Sequence, residues 1–229
     1  MQGRERRGFL LGFAFALAVG LAALTALIWF AGTSDALMTR LMMDAAPPKD
    51  TRLPAELYAP LCAQLTGYLR SGEGVFDFLQ GGISLFGATE KVHLADCASL
   101  FRLDRTVLWV SAGLSAILLG LSLLRGVGAK RWGRGVAAGA LVCLALVIGL
   151  AIWSLADFDG LFITFHRVAF SNDLWLLNPA TDLLIRLMPT GFFVRYAALL
   201  GGGWLIFLAV LFWIGWRMAR EPKKRGGAR

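Results

Sequence analysis

Four long runs without a charged residue or a histidine constrain this chain more than any other feature of its sequence. They cover residues 9–31, 107–124, 135–156 and 196–216. A helix of about 20 residues crosses the hydrocarbon core of a bilayer, which is roughly 30 Å thick. We therefore predict that each run is a transmembrane helix. Hydrophobic residues make up 57% of the chain and charged residues only 17%, which excludes an ordinary soluble domain.

The parts of the chain between these runs alternate between short and long. A cytoplasmic N-terminus is predicted at 1–8, a cytoplasmic loop at 125–134 and a cytoplasmic tail at 217–229. Two longer extracytoplasmic segments are predicted at 32–106 and 157–195. The expected fold class is mainly α: a four-helix transmembrane bundle with a small mixed extracytoplasmic domain formed by the two outer segments.

The distribution of basic residues gives the orientation of the spans. The predicted cytoplasmic parts carry 13 Lys and Arg residues and two acids, whereas the outer segments carry 10 Lys and Arg residues and 13 acids. The positive-inside rule places both termini in the cytoplasm. Topology and anionic inner-leaflet phospholipid explain the net charge of +8, so no nucleic-acid partner is needed. Because the spans lack ionisable groups, an ion pump or proton relay is not indicated.

The first outer segment has a recognisable helical pattern. Leucines recur every four residues across 57–69, which predicts an amphipathic helix that begins near Pro54 or Pro60. The short apolar runs VFDFL and ISLFG then predict strands or membrane-surface loops. Thr89 is the predicted N-cap of a helix that leads into the second span.

The second outer segment is rich in aromatic residues. An apolar stripe with helical spacing at 183–188 precedes Pro189. Such a segment is expected to lie on the bilayer or to pack against the first outer segment. Within the last span, the GGGW motif at 201–204 predicts close helix packing.

The three cysteines leave one question open. Cys143 lies inside the third span and is expected to be a small packing residue. Cys62 and Cys97 both lie in the first outer segment, so a disulfide is chemically possible there. Two unpaired thiols are the alternative interpretation, and no metal-ligand spacing links them.

The two histidines of the chain are its strongest chemical signal. His93 precedes the second span by about fourteen residues, and His166 follows the third span by about ten. Spans two and three form a hairpin, so we expect the two imidazoles to converge on the outer face. A pair of imidazoles that titrate near neutral pH is a minimal unit for general acid–base catalysis.

Polar groups that could orient these rings lie nearby in the sequence. Glu90 and Asp96 lie three residues either side of His93, close to the same helical face, and Asn172 and Asp173 follow His166. Two other interpretations remain: ordinary interfacial histidines, or a metal site completed by one of the aspartates. Asn172 or Asp173 is equally suited to an Asx-turn or a helix N-cap. The sequence contains no serine-hydrolase elbow, Walker loop or dinucleotide fingerprint.

Two motifs resemble a known family. They are EKVHLADCASLF, at 90–101, and FHRVAFSNDLWLLNPATDLLIRLMPTGFF, at 165–193. In this order, and with four spans, they are similar to the motifs of the bacterial lipoprotein intramolecular transacylases. The resemblance implies a multi-pass protein of the bacterial cytoplasmic membrane with its active site on the extracytoplasmic face. It leaves residues 32–88 without a matching motif.

The resemblance also implies a reaction and a partner. The partner is a diacylglyceryl-modified lipoprotein, whose sn-2 acyl chain moves to the α-amino group of its N-terminal cysteine to give the lyso form. His93 and His166 correspond to the family's catalytic pair, without a metal or another cofactor. The motifs add Arg167 and Trp175 to the supporting or orienting candidates Glu90, Asp96, Asn172 and Asp173.

The chemistry of such a transfer sets three requirements. An α-amino group, with a pKa of about 7.7–8.0, must lose a proton before it attacks an ester. Attack closes a flexible eight-membered ring, so the enzyme must hold the reacting atoms together. The developing oxyanion needs a donor, for which Arg167, Asn172 and a backbone N–H are candidates. Direct transfer and an acyl-imidazole intermediate both satisfy these requirements.

Two other classes of function compete with this one. A non-enzymatic membrane scaffold would tolerate loss of both histidines but not deletions within 32–88. A metal-dependent membrane lipid hydrolase would contain stoichiometric metal and would be inhibited by chelators.

Overall fold

The computed structural model describes residues 2–220. Met1 and most of the predicted tail at 217–229 lie outside the described residues. A short 3₁₀ turn at Ala55–Leu57 leads into α4. In chain order the other elements are α1 Gln2–Gly32, α2 Asp35–Ala45, α3 Pro48–Thr51, α4 Tyr58–Ser71, β1 Leu79–Gln80, β2 Ile83–Ser84, α5 Ala88–Leu124, α6 Ala129–Ala156, α7 Phe158–Ala169, α8 Leu183–Leu187 and α9 Thr190–Arg220.

Four of these helices, α1, α5, α6 and α9, are long and apolar enough to cross a membrane. This result confirms the predicted mainly α fold with four spans. The helices extend beyond the apolar runs, most of all α5, which has 37 residues. At 1.5 Å per residue, α5 is about 55 Å long, well over the roughly 30 Å of a hydrocarbon core. The charged residues between 90 and 105 therefore do not have to enter hydrocarbon.

The described chain divides into two compact units. The span unit contains the chain up to Leu24, Val107–Leu150 and the chain from Gly202 onwards. The mixed unit contains Thr25–Thr106 and Ala151–Gly201. It includes the whole of both outer segments, 32–106 and 157–195, that the sequence assigns to one domain.

Small residues allow the helices of the span unit to approach closely. A Cβ atom at Gly135 would lie 2.1 Å from the carbonyl oxygen of Phe9, and one at Gly139 would lie 2.8 Å from that of Phe13. Neither position of α6 tolerates a side chain without movement of α1. Small residues at helix contacts are typical of membrane helices, which gain stability from close backbone approach.

The predicted packing role of the GGGW motif is wrong for its first two residues. At Gly201 and Gly202, the described structure has no atom within 4 Å of an added Cβ. The contact comes instead from the last residue of the motif. The buried indole of Trp204 donates a hydrogen bond to the carbonyl oxygen of Gly20, at 2.8 Å.

The mixed unit has its own hydrophobic core. Elements from both chain segments contribute to it, so the second segment packs against the first, as one of the two predicted alternatives required. The buried apolar side chains are Met38, Leu41 and Met42 of α2, Tyr58, Leu61, Cys62, Leu65, Tyr68 and Leu69 of α4, Leu94 and Ala98 of α5, Leu183, Leu184 and Leu187 of α8, together with Leu53, Phe76, Phe78, Phe86 and Phe192.

The helix predicted from the leucine repeat is present as α4. The 3₁₀ turn directly after Pro54 leads into it, and the repeat points into the core from Leu61 onwards. Gly72 directly follows the last residue of the helix, and its φ of 65° lies in the left-handed region that favours glycine.

The region between α4 and α5 forms a small hairpin. Only two residues on each side pair as strands, with Leu79 opposite Ser84. Most of the VFDFL run is therefore irregular, although Phe76 and Phe78 are buried in the core. The side chains of the paired residues are exposed or half-exposed, so the strands add little to the core.

The predicted N-cap of α5 is wrong. The helix begins at Ala88, which places Thr89 inside its first turn. The carboxylate of Glu90 accepts a hydrogen bond from the backbone N–H of Gly87, at 2.6 Å. A glutamate at the third helical position therefore satisfies the donor at the helix start, as in half of a capping box.

The described chain contains three helices that the sequence analysis did not predict: the single turn α3 and the longer helices α2 and α7. Ser34 caps α2 by accepting from the N–H of Leu37, and Asp157 caps α7 by accepting from the N–H of Gly160. Each of these two longer helices has only 11 or 12 residues, so its apolar periodicity is short.

The three cysteines are unpaired. Cys62 contacts the sulfur of Met42 in the core of the mixed unit, and Cys97 lies beside a histidine. Of the two interpretations of Cys62 and Cys97, the structure supports free thiols. Cys143 is buried in α6, as expected for a packing residue.

Candidate functional site

His93 and His166 lie next to each other in the mixed unit, with ring centroids 6.2 Å apart. His93 is in the second turn of α5, and His166 is near the end of α7. Both side chains are buried, with 8% and 6% of their surface exposed. The predicted convergence of two histidines that are 73 residues apart in the sequence is therefore present in the structure.

A backbone hydrogen bond fixes the tautomer of His166. Its Nδ1 lies 2.8 Å from the carbonyl oxygen of Phe162, one helical turn earlier. A carbonyl oxygen only accepts hydrogen bonds, so Nδ1 carries the proton and Nε2 carries the lone pair when the ring is neutral. Burial lowers the pKa of His166 below 6.5, and the bond to Phe162 opposes this shift. At pH 7 the ring is thus a neutral base at Nε2.

Four aromatic side chains surround His166. Their ring centroids lie between 4.0 and 5.5 Å from that of the imidazole, and they belong to Phe162, Phe165, Phe170 and Trp175. Phe162 and Phe170 lie four residues before and after His166, on the same side of the helical path. This aromatic shell removes water from the ring, which is the physical cause of its lowered pKa.

His93 contributes a nitrogen that has no hydrogen-bond partner. Its Nε2 lies 3.6 Å from the thiol sulfur of Cys97 on the next turn of α5. Its Nδ1 is buried and makes no hydrogen bond to any described residue. A buried polar atom without a partner is uncommon in native proteins, and one explanation is that it serves a bound ligand.

Glu90 supports the site from a distance. Its side chain is 2% exposed, and its second oxygen accepts from the backbone N–H of Leu184 at 2.6 Å. The same carboxylate caps the start of α5, so it joins this helix to α8 one turn before His93. The structure therefore gives Glu90 a role in the placement of α5, without a recorded contact to either imidazole.

Asp96 and Asn172 meet beside the histidine pair. The side-chain N–H of Asn172 donates to Oδ2 of Asp96 at 2.9 Å. Asn172 also forms the predicted Asx-turn, because its Oδ1 accepts from the N–H of Leu174. This second bond fixes the orientation of the amide, so the turn positions the donor towards the carboxylate.

The remaining predicted residues differ in their placement. Trp175 contacts His166, with ring centroids 5.0 Å apart. Arg167 and Asp173 are exposed, and the described structure records no side-chain hydrogen bond or ion pair for either. The structure therefore does not bring Arg167 and Asp173 to the imidazoles.

Three neighbours of the histidines were not among the predicted site residues. Cys97 and Phe162 each lie four residues from a histidine on the same helix, a spacing that places side chains on one face. Phe170 contacts both imidazoles, at 5.0 Å from His93 and 5.5 Å from His166. Since α7 was not predicted, the four-residue spacing of Phe162 and Phe170 from His166 could not be used to place them beside this histidine.

Among the described residues, no group of three or more His, Cys, Asp or Glu side chains is arranged to hold a metal ion. The thiol of Cys97 and the carboxylate of Asp96 lie near the two imidazoles. The carboxylate is already hydrogen-bonded to Asn172. The arrangement is suited to proton transfer between nitrogen and oxygen atoms of a buried substrate.

Comparison with known proteins gives a family and a fold. A family model described as lipoprotein intramolecular transacylase Lit matches residues 11–193. The structure is similar to the in meso structure of the membrane-integral lipoprotein intramolecular transacylase Lit from Bacillus cereus. The TM-score is 0.72 at 16% sequence identity, with 96% of this chain and 98% of that chain covered.

A variant of the Bacillus cereus protein, in which one histidine is replaced by arginine, has a TM-score of 0.68 at 16% identity. This match covers 96% of this chain and 94% of that chain. No curated protein sequence matches the chain. At this level of identity the solved structures establish a shared fold, whereas the family match covers most of the sequence.

Proposed function

The chain belongs to the lipoprotein intramolecular transacylase family and is therefore an acyltransferase; we propose that it transfers the sn-2 acyl chain of a diacylglyceryl lipoprotein to the α-amino group of the N-terminal cysteine. The product is the lyso form, N-acylated and with one chain left on glycerol. The observation that carries the proposal is the pair of buried imidazoles, His93 and His166, at 6.2 Å.

His166 is the base that removes a proton from the attacking nitrogen. Its Nδ1–H is held by the carbonyl of Phe162, so the free lone pair is on Nε2. When Nε2 takes a proton, the resulting imidazolium still donates from Nδ1 to the same carbonyl. The backbone bond therefore stabilises the charge that forms during the reaction.

His93 binds the proton that is later delivered to the glycerol oxygen. In the proposed sequence, the substrate ammonium first gives a proton to the unpartnered Nδ1 of His93, which holds it only briefly because burial and the neighbouring His166 lower the pKa of this imidazole to about 4. The neutral amine then attacks the ester carbonyl, and its second proton passes to Nε2 of His166. The tetrahedral intermediate breaks its bond to the glycerol oxygen, which takes the proton back from His93. One proton on His166 is finally released to water, which balances the conversion of an ammonium into an amide.

The buried aromatic shell supports this chemistry in two ways. Water is kept from the imidazoles, so that the amine rather than hydroxide meets the ester. The rings of Phe165, Phe170 and Trp175 also offer an apolar surface on which acyl chains can lie. Both effects favour the closure of the flexible eight-membered ring through which the acyl group moves.

The charge distribution supports a location for the reaction. We propose that the mixed unit faces the extracytoplasmic side of the bacterial cytoplasmic membrane, because the chain ends and the loop between α5 and α6 carry most of the basic residues. The diacylglyceryl group of the lipoprotein substrate would lie in this membrane. Membrane phospholipid would then surround both the substrate and the enzyme.

The proposal is tested by tandem mass spectrometry of the N-terminal lipopeptide of one lipoprotein. Cells that lack their own transacylase receive this chain, no chain, or the chain with His93→Ala or His166→Ala. Because the reaction is an isomerisation, the fragments must show whether the acyl chain is on nitrogen or on glycerol. We expect an N-acyl fragment that appears with the chain and disappears in both variants.

Matched controls are available on the same helices. Val92→Ala and Val168→Ala alter exposed neighbours of the two histidines, which are 46% and 84% exposed, and should leave the N-acyl fragment unchanged. An acyl chain that stays on glycerol in every sample, with the protein present in the membrane at normal levels, would overturn the proposed function. Retained activity in both histidine variants would overturn the proposed roles of His93 and His166.

A further inference from the structure

A small, partly open cavity of about 130 Å³ lies between α5 and the turn after α7. Phe170 is part of its wall and also contacts the rings of His93 and His166. The polar part of the wall comes from Asp96 and Asn172, together with two serines. No step of the proposed reaction takes place in this cavity.

The volume of the cavity limits what it can hold. The cavity is partly open and has room for a few water molecules. It is too small to enclose a long acyl chain. An amino group with its adjacent peptide atoms fits into it.

The charge of the cavity is negative. Asp96 is its one ionisable side chain among the described residues, and one of its oxygens, Oδ2, is taken by Asn172. No described residue forms a hydrogen bond with Oδ1. The nearby cation Arg102 bonds the hydroxyl of Ser99 and the carbonyl of Gly72, and it does not line the cavity. Oδ1 therefore remains available to a donor from a ligand.

His93, whose Nδ1 has no hydrogen-bond partner among the described residues, does not line the cavity but lies one turn before Asp96 on α5. Asp96 follows His93 by three residues, a spacing that brings Cβ atoms to about 5–6 Å of one another. A ligand nitrogen bound to Asp96 would therefore lie within one helical turn of His93. An α-ammonium group has three N–H donors, so that one can bond Oδ1 of Asp96 and another remains available for Nδ1 of His93.

We propose that Asp96, held by Asn172, is the binding site for the free α-ammonium group of the lipoprotein's N-terminal cysteine. This inference rests on the proposed function and adds a basis for telling substrate from product. The substrate carries a positive charge at this nitrogen, whereas the N-acylated product is a neutral amide. The carboxylate therefore favours binding of the diacylglyceryl form and loses its partner when the acyl chain arrives, which promotes product release.

The test uses ligands that cannot react. A diether analogue of the diacylglyceryl lipopeptide has no ester, and its N-acetylated form lacks the charge. Binding of both is measured to the full chain in detergent micelles. We expect the wild-type protein to bind the free-amine form tighter by on the order of tenfold to a hundredfold, as for a hydrogen bond to a charged group.

Asp96→Asn tests the residue without a change of shape. The asparagine oxygen can still accept from Asn172, so the fold is expected to persist, and the preference for the free amine should fall to about twofold or less. Asp159→Asn removes the same charge from an exposed position of α7 and should keep the preference. Preference that survives in Asp96→Asn, or is absent in the wild type, would overturn the inference.

Failure of this inference and failure of the proposed function give different results. If the wild type forms N-acyl lipopeptide from a diester substrate but binds both diether ligands equally, only the ammonium site is wrong. If no N-acyl product forms, the proposed function is wrong, whatever the ligands show. A lower kcat in Asp96→Asn with unchanged ligand preference would also count against the ammonium site, since it indicates a structural role.

Discussion

Phe162 holds His166 in two ways: its carbonyl oxygen accepts from Nδ1 at 2.8 Å, and its side-chain ring lies 4.0 Å from the imidazole, between centroids. Both contacts come from one residue on the preceding turn of α7. The first sets which nitrogen is basic, and the second helps to keep the ring buried. The orientation of the proposed base is thus built into a single helical turn.

The burial of His166 predicts how stability depends on pH. Its pKa is lowered in the folded protein, so the unfolded chain binds the proton more readily as the pH falls below 6.5. The contribution of His166 to the free energy of unfolding is therefore full above pH 6.5 and is lost as the pH falls towards the lowered pKa. Denaturation in detergent at pH 7.5 and pH 5 should show a steeper loss for the wild type than for His166→Gln. Equal slopes in the two proteins would contradict this prediction.

Loss of the Glu90 carboxylate should destabilise the mixed unit. Glu90 is buried and accepts from the N–H groups of Gly87 and Leu184, at 2.6 Å each. Glutamine has one acceptor oxygen, so Glu90→Gln leaves one of these donors unsatisfied, at a cost of about 1–3 kcal/mol. Thermal unfolding in detergent should show a lower Tm, while Glu73→Gln, at an exposed position, should not change it. An unchanged Tm for Glu90→Gln would show that the hydrogen bonds of Glu90 to Gly87 and Leu184 do not stabilise the protein.

The thiol of Cys97 should be dispensable for catalysis. It lies 3.6 Å from Nε2 of His93, in a position where a Cys–His pair could form an acyl-thioester. Direct transfer needs no such intermediate, so Cys97→Val is expected to keep N-acyl formation within about threefold of the wild type, with packing as the main change. Formation of N-acyl lipopeptide is the measurement. Complete loss of product from a normally folded Cys97→Val protein would favour a covalent route instead.

One glycine of α6 should be essential for helix packing, and another should not. An added Cβ at Gly135 would lie 2.1 Å from the carbonyl oxygen of Phe9, whereas at Gly149 it would meet no described atom within 4 Å. Gly135→Ala is therefore expected to lower stability by about 1–3 kcal/mol, as overpacking does. Gly149→Ala should be neutral or slightly stabilising, because alanine restricts the unfolded chain. Unfolding in detergent compares the two, and equal effects would rule out close contact at Gly135.

The sequence predicted the large features of the fold because they depend on properties that are local. Charge-free runs identify long apolar helices, and leucine spacing identified α4. The convergence of His93 and His166 was predictable because each lies close to one end of a hairpin of two spans. The pairing of Asp96 with Asn172 needs the turn after α7, and no periodicity in the sequence encodes that contact.

The less successful predictions involve tertiary context. Thr89 is a good N-cap by residue type, but the buried Glu90 supplies the bond and the helix starts earlier. The glycines at 201 and 202 suit close packing by composition, yet it is Trp204 that makes the contact. Arg167 follows His166 directly but is exposed whereas His166 is buried, because neighbours on a helix are rotated away from each other.

The two halves of the histidine pair are made at different times. His93 leaves the ribosome 73 residues before His166, and the aromatic shell is complete only after Trp175 has followed. A growing chain that has inserted only α1 and α5 therefore holds one imidazole of the pair. On the proposed mechanism, acyl transfer becomes possible only after α6 has entered the membrane and α7 has folded. The chain therefore lacks the proposed reaction centre throughout most of its own synthesis.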